Sequence, residues 1–326
     1  MLGELLQKKC TLQILHNDLV FEPAVEEGIT WETERVGAPG KLTFTVIKTP
    51  DIWFNEGDQV KFMYDGQNVF HGFVFTKTRN KDQHIQVTAY DQMRYLKNKT
   101  TYVMSNVRAD QVLKRIADDF LLRCGELPNT GFVIPRFEQS NVSLFDIILD
   151  ALDYTVMSTG NLFYIYDDFG KLMLKNIKDS ALDVIIHEET AEDFDYSTTI
   201  DSNTYNRIIV TDSENQSEEN IIKEHDADNV KRWGVLQLVE TAQNGENSQA
   251  KAAALLKMHN RISRSLQIKG QFGDIRCRAG AGIYLSLNLG DMVANQRMLI
   301  EKATHTFNEN DYVMDLTLIG CEEFYD

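Results

Sequence analysis

Histidine and cysteine are the side chains that most often bind transition metals, and their spacing in this sequence does not predict a metal site. No two of the seven histidines lie four residues apart, and the zinc motif H-E-x-x-H is absent. The four cysteines form no C-x-x-C pair, which excludes a zinc ribbon and a thioredoxin-type site, so we expect reduced packing residues. These residues are His16, His71, His84, His187, His225, His259, His305, Cys10, Cys124, Cys277 and Cys321.

Two segments place carboxylates beside a histidine, namely His187-Glu188-Glu189 and Glu224-His225-Asp226. Adjacent residues of a strand point to opposite faces, so neither trio can hold one ion together. His259 lies in an Ala-rich helical stretch and is interpreted as a helix-face residue rather than a ligand. The sequence therefore predicts no metal ligands and no cofactor-binding residues.

Tripeptides typical of kinases and nucleotide-binding proteins occur without the motifs that accompany them. Asp168-Phe169-Gly170 matches the kinase magnesium tripeptide, but no glycine-rich loop precedes Lys48 and no H-R-D motif follows it. Gly280-Ala281-Gly282 lacks a strand-turn-helix setting, and neither G-x-S-x-G nor a P-loop is present. We predict that the protein is not an enzyme and has no catalytic residues. Spacing alone leaves open a carboxylate pair for glycoside hydrolysis, because the chain has 49 acidic residues.

The net charge of the 326-residue chain is −16, from 33 Lys and Arg against 49 Asp and Glu. Most of the excess lies in residues 180–228, where 14 acids face only Arg207 and Lys223. Such a surface repels phosphates, so sequence-specific nucleic-acid binding is not expected. Residues 212–220 contain no apolar residue and predict a solvated loop, with a cation or partner site as the alternative.

The first residues contain no basic start followed by an apolar run, and no window approaches ~18 uninterrupted apolar residues. We therefore expect neither export of the chain alone nor membrane insertion.

Residues from about 10 to 100 follow the pattern of short strands joined by turns. Apolar and polar residues alternate in 41–46 and 60–64, and strands are also predicted over 69–75 and 84–90. Turn residues separate these strands at 65–68 and 79–82, and no long helix intervenes. A small barrel or sandwich is the expected result.

The pattern changes after Lys99. Apolar residues spaced for a helix run from Val112 to Leu121 and predict a helix ending near Gly125. A second helix is predicted from Ser143, with Asp146 three residues on, to Gly160. A hairpin over 162–174 follows, so residues 101–180 are predicted to form an α+β domain.

Strands are predicted again over 206–210 and 234–239, followed by a helix over 248–263 and further strands to the end. Two stretches share the same order of features: strands 60–64, 69–77 and 85–90, and strands 283–287, 298–307 and 312–318. Each set follows a glycine and contains a polar turn before its last strand. An internal repeat is one interpretation, and two unrelated meanders are the other.

The order of these motifs resembles that of the XkdQ-like hub proteins of phage tails and phage-derived tail particles. The segments that carry the resemblance are 41–46, 56–60, 69–79, 88–92, 94–96, 278–280 with Ile283, 304–307 and 314–316.

The resemblance implies a mainly β fold with an α+β insertion, built from two tube-like β-barrel domains and a central α+β domain. The implied domains are residues 1–100, residues 101–180, and residues 181–326 with one helix and an acidic loop near 212–228. It also implies a homotrimeric ring that joins the tail tube to the central spike by symmetry matching. The expected partners are the tail tube protein, the central spike protein and other baseplate proteins, with the tape measure as a further candidate. Assembly is expected in the bacterial host cytoplasm, within the tail particle.

The alternative function, from a different class, is a tail-associated cell-wall hydrolase or carbohydrate-binding protein. Paired acids in a cleft would favour this alternative, whereas a central hole bounded by three chains would favour the hub.

Overall fold

The protein is mainly β, with four α-helices and two short 3-10 helices in the part of the chain that the structure covers. The computed structural model describes residues 10–187, 192–201, 203–212, 221–242, 247–288, 293–309 and 311–320. The helices are α1 (Ala109–Asp119), α2 (Leu144–Thr159), α3 (Ala227–Trp233) and α4 (Ser248–His259), and the 3-10 helices are Gln92–Lys97 and Ile177–Ser180. No helix within these ranges is long and apolar enough to span a membrane.

Twenty strands are described, and they fall into three groups along the chain. The N-terminal strands are β1 (Cys10–His16), β2 (Leu19–Phe21), β3 (Ile29–Glu34), β4 (Lys41–Ile47), β5 (Gln59–Tyr64), β6 (Gln67–Arg79) and β7 (His84–Tyr90). The central strands are β8 (Lys99–Val107), β9 (Ile134–Ser143), β10 (Phe163–Asp167) and β11 (Leu172–Asn176). The C-terminal strands are β12 (Ala181–His187), β13 (Asp193–Thr199), β14 (Arg207–Asp212), β15 (Ile222–His225), β16 (Gln237–Ala242), β17 (Ser263–Phe272), β18 (Gly282–Asn288), β19 (Val293–Phe307) and β20 (Tyr312–Gly320).

The predicted N-terminal meander is confirmed. In β4 the side chains of Leu42, Phe44 and Val46 are buried while the residues between them are partly exposed, which is the burial pattern of a sheet with one face on a core. Asp65 and Gly66, both with positive φ, form the turn between β5 and β6, so β6 begins at Gln67, two residues earlier than predicted.

One sheet of 13 strands joins the N-terminal and C-terminal regions. Its main path runs β13-β17-β20-β19-β3-β4-β7-β6-β5-β1-β2, and β18 and β12 extend from β19. All pairs in this sheet are antiparallel except β12 with β18. No ladder among the described residues joins the two ends of this path, so closure of either region into a barrel stays a prediction.

The seam between the two regions is the ladder between β3 and β19. Strand β19 is 15 residues long and pairs with β18 and β20, and its residues Lys302 to Phe307 also pair with Glu34 to Ile29 of β3. Phe307 is buried within the N-terminal core. The two β regions are therefore joined by backbone hydrogen bonds, which pattern analysis of either region alone did not predict.

The central region has the predicted pair of helices and hairpin, with one ladder that was not predicted. Ser143 caps α2 by accepting a hydrogen bond from the backbone N–H of Asp146, and Gly160 ends the helix with φ of 72°. The hairpin β10–β11 is confirmed. The ladder β8–β9 was missed, because β8 is rich in Thr and Ser and exposes most of its side chains.

Three predicted boundaries of elements are wrong. Helix α1 ends at Asp119 rather than near Gly125, because Leu121 takes the left-handed conformation and the N–H of Leu122 bonds to the carbonyl of Ala117. Helix α4 ends at His259, and Ile262 lies beyond it. Strand β16 begins three residues after Gly234, since that glycine ends the unpredicted helix α3. The predicted solvated loop 212–220 lies, from residue 213 on, outside the described residues.

The predicted repeat has the same topology in both copies. Strands β4-β7-β6-β5 have the same neighbours as β17-β20-β19-β18. Val74 exchanges backbone hydrogen bonds with Gly57 and Asp58, and Ile300 does the same with Gly280 and Ala281. An irregularity in the ladder follows each residue, between Val74 and Thr76 and between Ile300 and Lys302. Gly57 and Gly280 both have φ of 90°. Agreement at this level of detail favours a repeat over two unrelated meanders.

Candidate functional site: the buried junction and the acidic cleft

Arg278 lies where the two β regions meet the central hairpin. Its guanidinium is 4.4 Å from the centroid of the Tyr166 ring and 5.7 Å from that of Trp31, and Nη2 donates a 2.5 Å hydrogen bond to the carbonyl of Asp167. Nε of Arg278 is buried with no hydrogen-bond partner among the described residues. The side chain therefore contacts β3, β10 and the turn after it at once.

Two buried carboxylates belong to the same junction. Asp91 accepts hydrogen bonds from the backbone N–H groups of Gly40 (2.8 Å) and Met93 (2.9 Å). Asp167 accepts from Gln92 Nε2 (2.9 Å) and from the N–H of Gly170 (2.6 Å). Burial raises the pKa of Asp91 well above its usual range, and the nearby Asp167 raises it further. Burial also raises the pKa of Asp167 to about 6.

His305 is a buried neutral histidine beside the seam. Its ring stacks on Trp31 at 4.8 Å, Nε2 lies 3.0 Å from the carbonyl oxygen of Cys277, and Nδ1 lies 2.7 Å from the hydroxyl of Tyr312. A carbonyl only accepts, so Nε2 carries the proton and Nδ1 accepts from Tyr312. Burial lowers the pKa of His305 to about 4. These contacts serve packing, and they leave His305 neutral at pH 7.

A cleft of about 370 Å³ lies between α2, α4 and β16. Asp150 and Asp153, three residues apart on α2, line one side, and Glu240 of β16 lines the other. Burial raises the pKa of Asp153 to about 6, and Asp150 raises it further, while Arg35 lowers it. Burial also raises the pKa of Asp150. Two neighbouring carboxyls with raised pKa values in a cleft are a feature of sites that perform acid–base chemistry.

Sequence reasoning named one residue of this cleft, His259, as a helix-face residue, and none of its carboxylates. The spacing of Asp150 and Asp153 on a largely apolar helix is a signal that could have identified them. Glu240 has no such signal, because it comes from a strand 87 residues after Asp153.

The kinase-like tripeptide and the segments with a histidine beside carboxylates have structural roles wherever the structure describes them. Asp168-Phe169-Gly170 forms the turn of the β10–β11 hairpin, with positive φ at Phe169 and Gly170. Asp226 caps α3 by accepting from the N–H groups of Asp228 and Asn229. Glu188 and Glu189 lie outside the described residues. No group of three or more potential metal ligands occurs in the described ranges. In the same ranges Cys10, Cys124 and Cys277 form no disulfide.

A family model described as YQBQ-like matches residues 29–319, from the first residue of β3 to the penultimate residue of β20. The chain belongs to the YqbQ-like family. It is 30% identical over 306 residues to an uncharacterized protein, YqbQ, of Bacillus subtilis (strain 168), a match that covers 90% of this chain and 92% of the relative. It is 29% identical, with the same coverage, to the phage-like element PBSX protein XkdQ of the same organism. The resemblance to XkdQ-like proteins is confirmed.

The fold of this YqbQ-like protein occurs in a solved structure. The 43 kDa tail protein of prophage MuSo2 from Shewanella oneidensis superposes with a TM-score of 0.69, covering 97% of this chain and 100% of that protein. The two sequences are 10% identical, so this similarity concerns the fold.

Proposed function

We propose that this YqbQ-like protein is a structural baseplate hub protein of a phage or phage-like contractile tail. In this proposal three copies form a ring that joins the tail tube to the central spike. Two comparisons support a tail component: the relative XkdQ is named as a protein of a phage-like element, and the MuSo2 protein of the same fold is a prophage tail protein.

The repeated β unit is the observation that carries the hub proposal. One chain contains β5–β7 and β18–β20 as two copies of the same meander, joined edge to edge through β3 and β19. Three chains would therefore present six similar units around one axis. Such a ring can contact a three-fold spike through whole chains and a six-fold tube through single units, which is the symmetry matching that a hub requires.

The proposed domains follow the larger hydrophobic cores. Residues 1–100 and 181–326 would form the two tube-like units, each with a large core of its own, and residues 101–180 would form the α+β domain, whose core lies around α1 and α2. A smaller core around β14 and α4 also lies within residues 181–326. The partners would be the tube protein, the spike protein and other baseplate proteins, with the tape measure as a further candidate. Assembly would take place in the host cytoplasm, within the growing particle.

The test is a reconstruction of the parent particle by electron microscopy. We expect three copies of this chain in one ring, with the two β units of each copy alternating around the axis. A ring of six copies, a single copy, or particles without the protein would overturn the hub proposal.

A second candidate, a tail-associated cell-wall hydrolase or carbohydrate-binding protein, is favoured by the acidic cleft alone. It requires that the cleft act on or bind glycans, so it is tested with purified peptidoglycan and with Asp153→Asn as the matched variant. Turnover by the parent chain that the variant lacks would favour the hydrolase. Binding without turnover, lost in the same variant, would favour a carbohydrate-binding protein. No turnover and no binding would leave the hub as the only candidate.

A further inference from the structure

Several strands in the described part of the chain have a strand neighbour on one side only, and two of these edges belong to the repeated units. Strand β13 pairs with β17 and is one end of the main sheet path. The last four residues of β6, Thr76 to Arg79, pair with β7, but β5 reaches only to Phe73 of β6 on the other side. An exposed strand edge can recruit another strand.

The repeat identifies the strand that pairs with the counterpart of the β6 edge. Val74 of β6 and Ile300 of β19 are counterparts, since each makes the same backbone contacts with a preceding Gly-x pair and each precedes the ladder irregularity. Thr76 to Arg79 therefore correspond to Lys302 to His305. In β19 those residues pair with β3. The β6 edge is thus the counterpart of an edge that is occupied elsewhere in the same chain.

The repeat likewise identifies β13 as the counterpart of β3. Strand β3 pairs with β4, and β13 pairs with β17, which occupies the place of β4 in the second copy. Ala89 pairs with Val74 and Leu318 pairs with Ile300, so Ala89 and Leu318 are counterparts. Leu42 of β4 lies opposite Ala89 and Leu266 of β17 lies opposite Leu318, so Leu42 and Leu266 are counterparts as well. Glu32 of β3, opposite Lys41, then corresponds to Ser197 of β13, opposite Ser265. Strand β3 has a second neighbour, β19, whereas β13 has none in the described residues.

We propose that β13 of one copy pairs antiparallel with Thr76–Arg79 of β6 in the next copy, repeating between chains the β3–β19 ladder within each chain. This inference rests on the proposed hub function and names the surface through which its copies join. The register follows from the counterparts. Within one chain Glu32 lies opposite Thr304 and Glu34 lies opposite Lys302. Between chains the proposed register therefore places Ser197 opposite Thr78 and Thr199 opposite Thr76.

Side-chain type agrees with this pairing at two of its four positions. In this register Thr78 faces Ser197 and Thr76 faces Thr199, and such pairs interact through their hydroxyls. The other two positions place Lys77 opposite Thr198 and Arg79 opposite Tyr196. Lys77 is paired with Glu56 and Asp195 with Lys269 inside the chain, so the proposed contact rests on backbone hydrogen bonds rather than on charge.

The two edges differ, so the contact is heterologous and each copy offers one edge of each kind. A heterologous contact closes into a ring when the rotation between neighbours divides a full turn, and otherwise continues as a filament. The edge pairing therefore accounts for a closed ring without any second type of contact.

The test is disulfide crosslinking in assembled particles with the double variant Thr78→Cys and Ser197→Cys. Facing residues of neighbouring strands have Cβ atoms ~4.5–5.5 Å apart, close enough for a disulfide after small shifts. The matched control is Glu32→Cys with Thr304→Cys, the counterpart pair, which should form a disulfide inside one chain. The parent chain, with its four native cysteines, and the two single variants provide the background.

On a non-reducing gel we expect covalent dimers and trimers of the Thr78→Cys, Ser197→Cys variant and no larger species, and we expect no covalent oligomers of either single variant. Covalent oligomers larger than a trimer would support the strand pairing and overturn the three-copy ring. A three-copy ring in the reconstruction, with crosslinks absent both from this variant and from Thr76→Cys with Thr199→Cys, would overturn the strand pairing and leave the hub function standing.

If a double variant fails to enter particles, the reconstruction of the parent particle measures the same contact. We expect β6 and β13 of neighbouring copies ~4.8 Å apart, the spacing of hydrogen-bonded strands. A larger separation would overturn the proposal.

Discussion

The guanidinium of Arg278 lies 4.4 Å from the centroid of the Tyr166 ring, and the same side chain reaches the carbonyl of Asp167. It is a positive charge close to two buried carboxylates, Asp91 and Asp167, and it lowers the pKa of both against the effect of burial. The contact between a loop of the C-terminal region and a central hairpin therefore also brings a cation to the junction, where it adds to the hydrogen bonds that lower the pKa of both carboxyls.

Replacing Arg278 by Met should lower the free energy of unfolding by about 2–4 kcal/mol, because two buried carboxylates lose their nearby cation. The matched control is Arg276→Met, two residues away, where a half-exposed guanidinium pairs with Asp274 and Asp183. Surface pairs contribute about 1 kcal/mol or less, so the control should lose no more than that. Urea unfolding followed by circular dichroism measures both, and equal losses would contradict the compensation by Arg278.

Gly72→Ala should destabilise the N-terminal sheet. A Cβ at Gly72 would lie 2.3 Å from the carbonyl oxygen of Tyr90 and 2.6 Å from the ring of Phe70, so β6 and β7 would have to separate. We expect a loss of about 1–3 kcal/mol, the usual cost of forcing atoms into a packed core. Gly320→Ala, at the end of β20 with no atom near the added Cβ, should be within about 0.5 kcal/mol of the parent. A tolerated Gly72→Ala would mean that the two strands are less closely apposed than described.

The parent chain should lose stability between pH 6.5 and 4 because of His305, and His305→Gln should remove this loss. The folded-state pKa of His305 is about 4, below the usual value of 6.5, so the unfolded chain alone takes up this proton as the pH falls below about 6.5. The free energy of unfolding of the parent should therefore fall relative to the variant by roughly 3 kcal/mol between pH 6.5 and 4, and then stop falling. Unfolding curves at half-unit pH steps measure this difference. Parallel profiles would show that His305 is not held neutral.

Asp153→Asn should have the opposite pH dependence. The folded-state pKa of Asp153 is about 6, above its usual 3.8, so its ionised form is destabilising above pH 6 and this penalty disappears as the pH falls towards 4. The variant should be more stable than the parent at pH 7.5 by on the order of 1–3 kcal/mol, and about equal at pH 4. Asp146→Asn, in the first turn of the same helix, is the control and should show no such gain. A loss of stability at pH 7.5 would mean that Arg35 and its neighbours compensate for the burial of Asp153.

The meanders could be predicted from the sequence because each strand alternates buried and exposed residues and each turn contains Gly, Asn or Asp. Helix α2 could also be predicted, since Ser143 and Gly160 mark its ends. The end of α1 could not, because Leu121 adopts a left-handed conformation that its residue type does not favour.

The seam and the cleft could not be predicted for a different reason. The pairing of β3 with β19 depends on residues about 270 positions apart, and neither strand has a residue type that selects the other. The cleft combines α2 with Glu240, which only the packing of α4 and β16 against α2 brings near. The correspondence between the edge of β6 and the paired edge of β19 depends on the strand registers, which the sequence alone does not specify.

The β3–β19 ladder has a consequence for the kinetics of folding. Ile29 to Glu34 are made about 270 residues before their partners on one side, Lys302 to Phe307. The N-terminal core contains Phe307, so it stays incomplete until all of the intervening chain has been made. Contacts of such large sequence separation raise the contact order and slow folding, because the intervening chain must be ordered before they form. Until then one edge of β3 lacks its partner, so the nascent chain is exposed to strand pairing with other copies before its own sheet is complete.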